Sequence, residues 1–229
     1  MRTFMDVYKY IKTDWLIKDL LGDGEQLYFA PRRELNDPFE LFGVINVEYF
    51  DKSGRKVVFP DYNKAQNKTF EQVKDKIGIF CCSAVCDDIT MWAYYADSHR
   101  GCCIELDTAA APDFFNAMDA VSYSDKRPSI DHNPRKGPDI RINDVVYHKA
   151  SCWVHEKEYR VVKLSYQGLV DFNPKALRTI IFGCMMDESS RTDIINRLNG
   201  KPCFSHVKLK QAEPDDTYFK LKFKDIDRK

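Results

Sequence analysis

No stretch of the chain approaches eighteen consecutive apolar residues, and no charged-then-apolar leader opens it. A transmembrane helix is not expected, and the reading is of a cytoplasmic protein with no membrane partner. Neither sign of charge is in excess: 35 lysines and arginines balance 35 aspartates and glutamates. Attraction to nucleic acid or to an anionic membrane would therefore need a local patch. The eight cysteines include no C-x-x-C pair, and four of them stand as adjacent doublets, Cys81-Cys82 and Cys102-Cys103. With no secretory leader they read as free thiols in a reducing compartment. Cys81, Cys82, Cys86 and His99 lack the usual zinc-site spacing, and no metal is expected. P-loop, GxGxxG, GxSxG, HExxH and EF-hand patterns are absent, as are internal repeats, low-complexity segments and a convincing linker.

What is present suits a folded domain. Hydrophobic residues make up 44% and charged residues 31%, a balance that rules out wholesale disorder. Aromatic residues are plentiful enough that some should line a pocket. Alternation and turn residues predict strands over 5–11, 25–30, 77–84, 102–107 and 177–183. Helices are expected over 14–21, 69–76, 87–99 and 187–200, the last two preceded by aspartate caps. Residues 43–63 read as a peripheral hairpin turning at Ser53-Gly54. Residues 122–144, with three prolines and no periodicity, read as a long loop. Residues 145–164 read as a helix breaking into a strand near His155, and two alternating strands close the chain. Lys220, Lys222 and Lys224 would face solvent on the last of these, as edge lysines do. The expected fold is α+β, one domain over 1–229 with a mixed, mainly antiparallel sheet and flanking helices.

Three clusters carry possible chemistry. In LYFAPRRELNDPFELF (27–42), Asn36 and Asp37 can lock a turn through side-chain-to-backbone bonds. Arg32 or Arg33 could instead grip a phosphate, with Asn36 or Asp37 on a sugar or base. On a helix over 87–99, Trp92, Tyr95 and His99 share a face, either as a core stripe or as an aromatic wall for a flat ligand ring. In WVHEKEYR (153–160), an extended 156–161 would place Glu156, Glu158 and Arg160 on one face. That face is either a solvated ion-pair row or a catalytic carboxylate pair.

Taken together, the LNDPFE corner, MWAYYADSHRGCCIEL, the K-x-x-x-W-x-x-E-x-E-Y-R of 149–160 and IIFG (180–183) resemble the bacterial family catalogued as domain of unknown function number 2971. The resemblance spans about 8–185, with the C-terminal helix and two strands (187–225) completing the fold. The chain has Leu35 where that family usually has an aromatic residue and Tyr94 where a histidine is frequent. The order of an arginine-bearing strand, a strand ending in Ser83 and Glu-x-Glu is also similar to the plan of ADP-ribosyltransferases. That similarity implies NAD as substrate, with Arg32, Arg33, Asn36, Asp37, Ser83, Trp92, Tyr95, His99 and Arg160 around the nucleotide. Glu158 would stabilise the sugar cation and Glu156 would orient an acceptor, either protein or nucleic acid. The biological setting so implied is a toxin or phage-defence effector. Two rivals stay open. One is a metal-dependent nuclease with Asp37, Glu40, Glu105, Glu156 and Glu158 as oxygen ligands and Lys163 near the scissile phosphate. The other is a non-enzymatic module binding a nucleotide or partner.

Overall fold

A computed structural model describes residues 5–41, 44–47, 49–50, 53–57, 60–132 and 143–228; residues 133–142 of the expected loop lie outside these. Ten strands share one sheet: β1 (Asp6–Ile11), β2 (Gln26–Pro31), β3 (Gly78–Ser83), β4 (Cys102–Asp107), β5 (Met118–Ala120), β6 (Glu158–Lys163), β7 (Gly168–Asp171), β8 (Leu177–Phe182), β9 (Lys208–Pro214) and β10 (Leu221–Ile226). The order is β7-β2-β3-β1-β4-β8-β9-β10, with β6 paired to β3 and β5 paired to β6. Only β8 and β9 run parallel, joined through the helix Glu188–Asn199; every other pairing in this sheet is antiparallel.

The sheet forks at β3. One edge of β3 pairs with β6 along its whole length. The other edge is divided, with β1 meeting Ser83 at one end and β2 meeting Gly78 and Ile79 at the other. At the first end, register aligns Glu158, Ser83, Tyr8, Glu105 and Thr179 in one row across five strands. Directly paired residues point to the same face, so this row presents its side chains together.

Period-two alternation decides what each face buries. Val7 and Ile11, Phe80 and Cys82, Ile104 and Leu106, Ile180 and Phe182 face a core that also takes Leu16 and Leu20 from the helical segment 13–20. Ile194 and Leu198 of helix 188–199 complete that side. Tyr10, Cys103 and Ile181 face the opposite side, where helix Ile89–Tyr95 packs with Met91 and Trp92. A third cluster gathers Leu41, Phe70, Ile77, Ile79, Val145 and Val146. The molecule is thus an α+β domain built on a mixed, mainly antiparallel sheet.

Local chemistry sets several boundaries. Asp88 caps its helix by accepting from the Thr90 and Met91 amides at 2.8 and 3.0 Å, and Asp187 accepts from Ser190 N at 2.8 Å. The first of these helices stops at Tyr95, short of the expected 99, because Asp97, Ser98 and His99 all take positive φ. The helix expected at 69–76 begins earlier, at Pro60, a residue well suited to the first helical turn. The hairpin expected within 43–63 is present as Tyr49–Phe50 against Lys56–Val57. Val44–Val47 instead pairs in parallel with Ser129–His132, inside the stretch expected to be loop. The helix expected from 145 is reduced to Asn143–Val146. Beyond it, the Ser122 and Ser124 amides donate to the Tyr147 and Lys149 carbonyls, and this strand-like pairing displaces helical bonds.

Trp92 belongs to this scaffold. It is wholly buried, stands edge-on to Tyr10 at 5.4 Å and donates Nε1–H to the Cys86 carbonyl at 2.8 Å. Buried in this way, it offers no face to a ligand ring. Its neighbour Tyr94 is 62% exposed. Trp92→Ala is therefore expected to lower unfolding stability by about 3–5 kcal/mol, whereas Tyr94→Ala should stay within about 0.5 kcal/mol. Urea titration of both variants checks the contrast, and similar losses would contradict this packing.

Candidate functional site

The NDPFE corner reaches inward through two acids. Asp37 Oδ1 accepts from Phe39 N at 2.9 Å, closing the turn, while Oδ2 accepts from Trp153 Nε1 at 3.0 Å. Asp37 thus braces the corner and ties it to the 3-10 segment Ser151–Glu156. Glu40, 3% exposed, extends from the same turn into a buried group of charges.

That group comprises Glu40, Lys149, Glu156, Glu158 and Arg160, which come from four separate segments. The Lys149 ammonium lies 2.5 Å from Glu156 Oε2 and 3.1 Å from both Glu158 Oε2 and Glu40 Oε1. Arg160, wholly buried, holds Glu158 with two nitrogens: Nε is 2.8 Å from Oε1 and Nη2 is 3.0 Å from Oε2. Its Nη2 also donates to Glu40 at 2.8 and 2.9 Å, and Nη1 donates to the Val146 carbonyl at 2.7 Å. Phenols and indole close the rim. Tyr95 donates to Glu156 Oε1 at 2.6 Å, Tyr123 accepts the Glu158 amide at 2.8 Å, and the Trp153 ring lies 5.1 Å from the Lys149 ammonium.

Glu156 arrives here by a route different from the expected one. It sits at the end of the 3-10 segment, and Lys157 takes positive φ before β6 starts at Glu158. The stretch 156–161 is therefore not continuously extended. The kink at Lys157 still lets both glutamates meet Lys149. Ser83 is Glu158's direct strand partner, but its hydroxyl is committed: it donates to the Glu156 carbonyl at 2.6 Å and accepts from Val85 N at 3.0 Å.

Other expected members lie elsewhere. Arg32 pairs with Glu71 at 2.8 Å, and Arg33 and Asn36 are exposed. They follow β2, which joins β3 at Gly78, whereas Glu158 pairs at Ser83. Five residues of extended strand separate those ends by roughly 17 Å, so neither arginine backbone lies beside the carboxylates. The strand beside Ser83 at that end is β1, with Tyr8 as partner. His99 stacks on Trp92, with 6.3 Å between centroids and an interplanar angle of 11°. Glu105 hydrogen-bonds Tyr8 and Thr179, three strands away from Glu158. Lys163, over the Phe29 ring, sits at the Gly78 end. Where three carboxylates do converge, the point is occupied by the Lys149 ammonium, and among the described residues no group of three His, Cys, Asp or Glu side chains is arranged for a metal ion.

Lys149, Tyr123 and Trp153 are the members to which sequence reasoning gave no role. Lys149 opens the K-x-x-x-W-x-x-E-x-E-Y-R pattern, which was its only signal. Tyr123 lay in the stretch taken for loop.

Electrostatics follow from the geometry. Burial by itself would raise the Glu158 pKa, but the Arg160 guanidinium and Lys149 ammonium more than offset it and hold the carboxyl at about 2. Lys149 is moved the other way: burial opposes its charge, yet Glu158, Glu40 and Glu156 outweigh burial and raise it above the ordinary lysine value. Burial also raises Tyr95 well above an ordinary phenol, with Glu156 adding to the effect. Because the Glu158 value is depressed from the usual 4.5, its stabilisation is complete above the unfolded value and fades as pH falls toward 2. Lys149, being raised, stabilises throughout the acid and neutral range and loses this only at strongly alkaline pH. The free energy of unfolding should thus fall between about pH 4.5 and 2 in the natural chain, with a shallower slope in Glu158→Gln. Arg160→Met, which strands Glu40 and Glu158 in the interior, should cost about 3–5 kcal/mol at neutral pH. Equal acid slopes for the natural chain and Glu158→Gln would show that this carboxylate is not held ionised by its partners.

No helix among the described residues is long and apolar enough to cross a membrane. No curated protein and no solved structure matches the chain. A family model does match, over residues 91–161, and its description is Protein of unknown function (DUF2971). The MWAYY and WVHEKEYR blocks fall within that stretch, while the NDPFE corner falls outside it. By that match residues 91–161, which carry Lys149, Glu156, Glu158 and Arg160 of the buried group and Tyr95 of its rim, are similar to the family of proteins of unknown function DUF2971.

Proposed function

We propose that the chain is an ADP-ribosyltransferase-like enzyme that cleaves the nicotinamide–ribose bond of NAD, with Glu158 as its central carboxylate and Glu156 assisting. The observation that carries this reading is the composition of the buried group. Three carboxylates face two cations, which leaves one formal negative charge in excess in a setting where charges act strongly. Breaking a glycosidic bond to nicotinamide develops positive charge on the sugar, as in an oxocarbenium ion. A pre-positioned excess of negative charge favours that state over the ground state, and its donors and acceptors need no rearrangement as the charge appears.

Each residue has a task in this scheme. Arg160 and Lys149 hold the Glu158 carboxylate oriented and ionised at any physiological pH. Glu156 lies behind the Tyr95 hydroxyl, so displacement of that half-buried side chain admits the sugar. Tyr94 and Trp153, 6.0 Å apart and edge-on, form the surface on which the departing nicotinamide stacks. They replace Trp92 in that role. The arginine that would hold the cofactor's phosphates in the resembled plan has no counterpart beside Ser83, where Tyr8 stands. Phosphate contact falls instead to groups outside the row. The accepting molecule is a protein or a nucleic acid, and the setting is a cytoplasmic toxin or phage-defence effector.

The test is nicotinamide release from NAD by purified protein with cell lysate supplying the acceptor. Glu158→Gln should reduce release by a factor of about 100 or more, the scale of one preorganised electrostatic contact. Glu156→Gln should reduce it less, and chelation of divalent metal should leave it unchanged. Assay temperature is set below the melting point of each variant, so lost stability is not read as lost chemistry. Full activity in Glu158→Gln, or no release from the natural chain, would overturn the proposal.

A further inference from the structure

Away from the carboxylates, the turn after helix 89–95 meets the turn after β8. Cys184 Sγ stands 3.8 Å from His99 Nδ1. Among the described residues, Cys184 is the free cysteine for which a thiol–imidazole contact is formed in the hydrogen-bond network. The two turns are locked by backbone bonds: Met185 N donates to the His99 carbonyl at 3.0 Å and Gly183 N to the Gly101 carbonyl at 2.9 Å. The approach is so close that a Cβ on Gly183 would lie 2.1 Å from the His99 oxygen. The imidazole is fixed from a further side by its parallel stack on Trp92.

Three successive residues leading into this contact, Asp97, Ser98 and His99, have φ of 47, 51 and 66°. Non-glycine residues seldom take that conformation, and runs of it concentrate where a surrounding structure enforces a particular side-chain placement. Cys184 and His99 are both half-buried, with Met185 exposed beside them. A nucleophile and a base within reach of it, its ring held against Trp92, are thus assembled at an accessible point.

We propose that Cys184 and His99 form a reactive thiol site that exchanges with small-molecule disulfides of the glutathione class. The inference stands on observations separate from the transferase reading. In the step, the Cys184 S–H proton passes to His99 Nδ1 while the sulfur attacks one sulfur of the disulfide. The S–S bond breaks, the departing thiolate takes the proton from His99, and a mixed disulfide and one free thiol result. The disulfide is the oxidant, and no other is needed. Burial raises the Cys184 pKa and lowers that of His99, and both directions favour the neutral thiol and imidazole from which the step starts. The two exposed thiols lack this arrangement. Cys203 points toward the Glu25 carboxylate at 3.9 Å and has no imidazole beside it in the hydrogen-bond network of the described residues.

The experiment exposes the folded chain to oxidised glutathione, quenches with acid at intervals, and maps the mixed disulfide at each cysteine by peptide mass spectrometry. Cys184 should be modified about ten-fold faster than Cys152 or Cys203, despite its lower exposure. His99→Asn keeps a residue tolerant of positive φ and should slow Cys184 by about ten-fold while leaving Cys152 and Cys203 unchanged. Cys102 and Cys103, wholly buried, report on the fold and should stay unmodified. A Cys184 rate no higher than that of the exposed thiols, or one unmoved in a folded His99→Asn variant, would overturn the proposal. Should the variant label at Cys102 and Cys103, the ranking in the natural chain decides alone.

Discussion

A lysine ammonium buried among three carboxylates organises this molecule. Lys149 is 8% exposed, and its partners Glu40, Glu156 and Glu158 are 3%, 2% and 5% exposed. None of these groups could be buried alone without a cost of several kcal/mol. Each is tolerable only when the others arrive, so the corner at 37–40, the segment 148–156 and strand β6 have to assemble together. Arg160 extends the constraint, since its guanidinium joins Glu158 to Glu40, which lies 120 residues from Arg160 in sequence, and ends on the Val146 carbonyl. Long-range order around the site is thus set by charge pairing, while the sheet behind it is set by apolar alternation.

The two kinds of order differ in how far the sequence discloses them. Elements fixed by local rules were readable from composition and spacing. Asp88 and Asp187 announce helix starts because an aspartate caps its own neighbouring amides, and IIF at 180–182 announces a buried strand because both its faces are covered. What could not be read depended on partners distant in the chain. Ser129–His132 pairs with Val44–Val47, and Lys149 takes its place from carboxylates on other segments. A charged residue carries no local mark of whether it will be solvated or buried. WVHEKEYR therefore remained open between a solvated ion-pair row and a catalytic carboxylate pair, and burial of Glu156, Glu158 and Arg160 removes the solvated row.

The corner at 31–40 illustrates the same division within ten residues. Asn36-Asp37-Pro38 read as a braced turn, and Asp37 does close it through the Phe39 amide. The arginines just before it read as phosphate ligands because guanidinium suits phosphate. Their position, however, depends on which end of β3 receives β2, and that pairing is set by residues 26–31 against Gly78 and Ile79. Glu40 reaches the buried group and Asp37 reaches Trp153 on its rim, while Arg32 stays behind with Glu71. Residue chemistry was legible here, and strand topology was not.

Stability alone is a weak reason for such an interior. Well-packed apolar side chains of similar volume are commonly as stabilising as a buried ion cluster, or more so. Five charged side chains nonetheless occupy this volume, with the negative ones in the majority. Two consequences follow that an apolar core could not provide. One is specificity, because Glu40 satisfies Arg160 in only one arrangement of the corner against β6. The other is a carboxylate that stays ionised although buried, because its two cations are fixed in place. A group of that kind is held ready to stabilise a positive charge, at a point where water would otherwise screen the interaction. Tyr95, Tyr123 and Trp153 border this group as half-buried side chains, so its charges are shielded by rings and not by further ions.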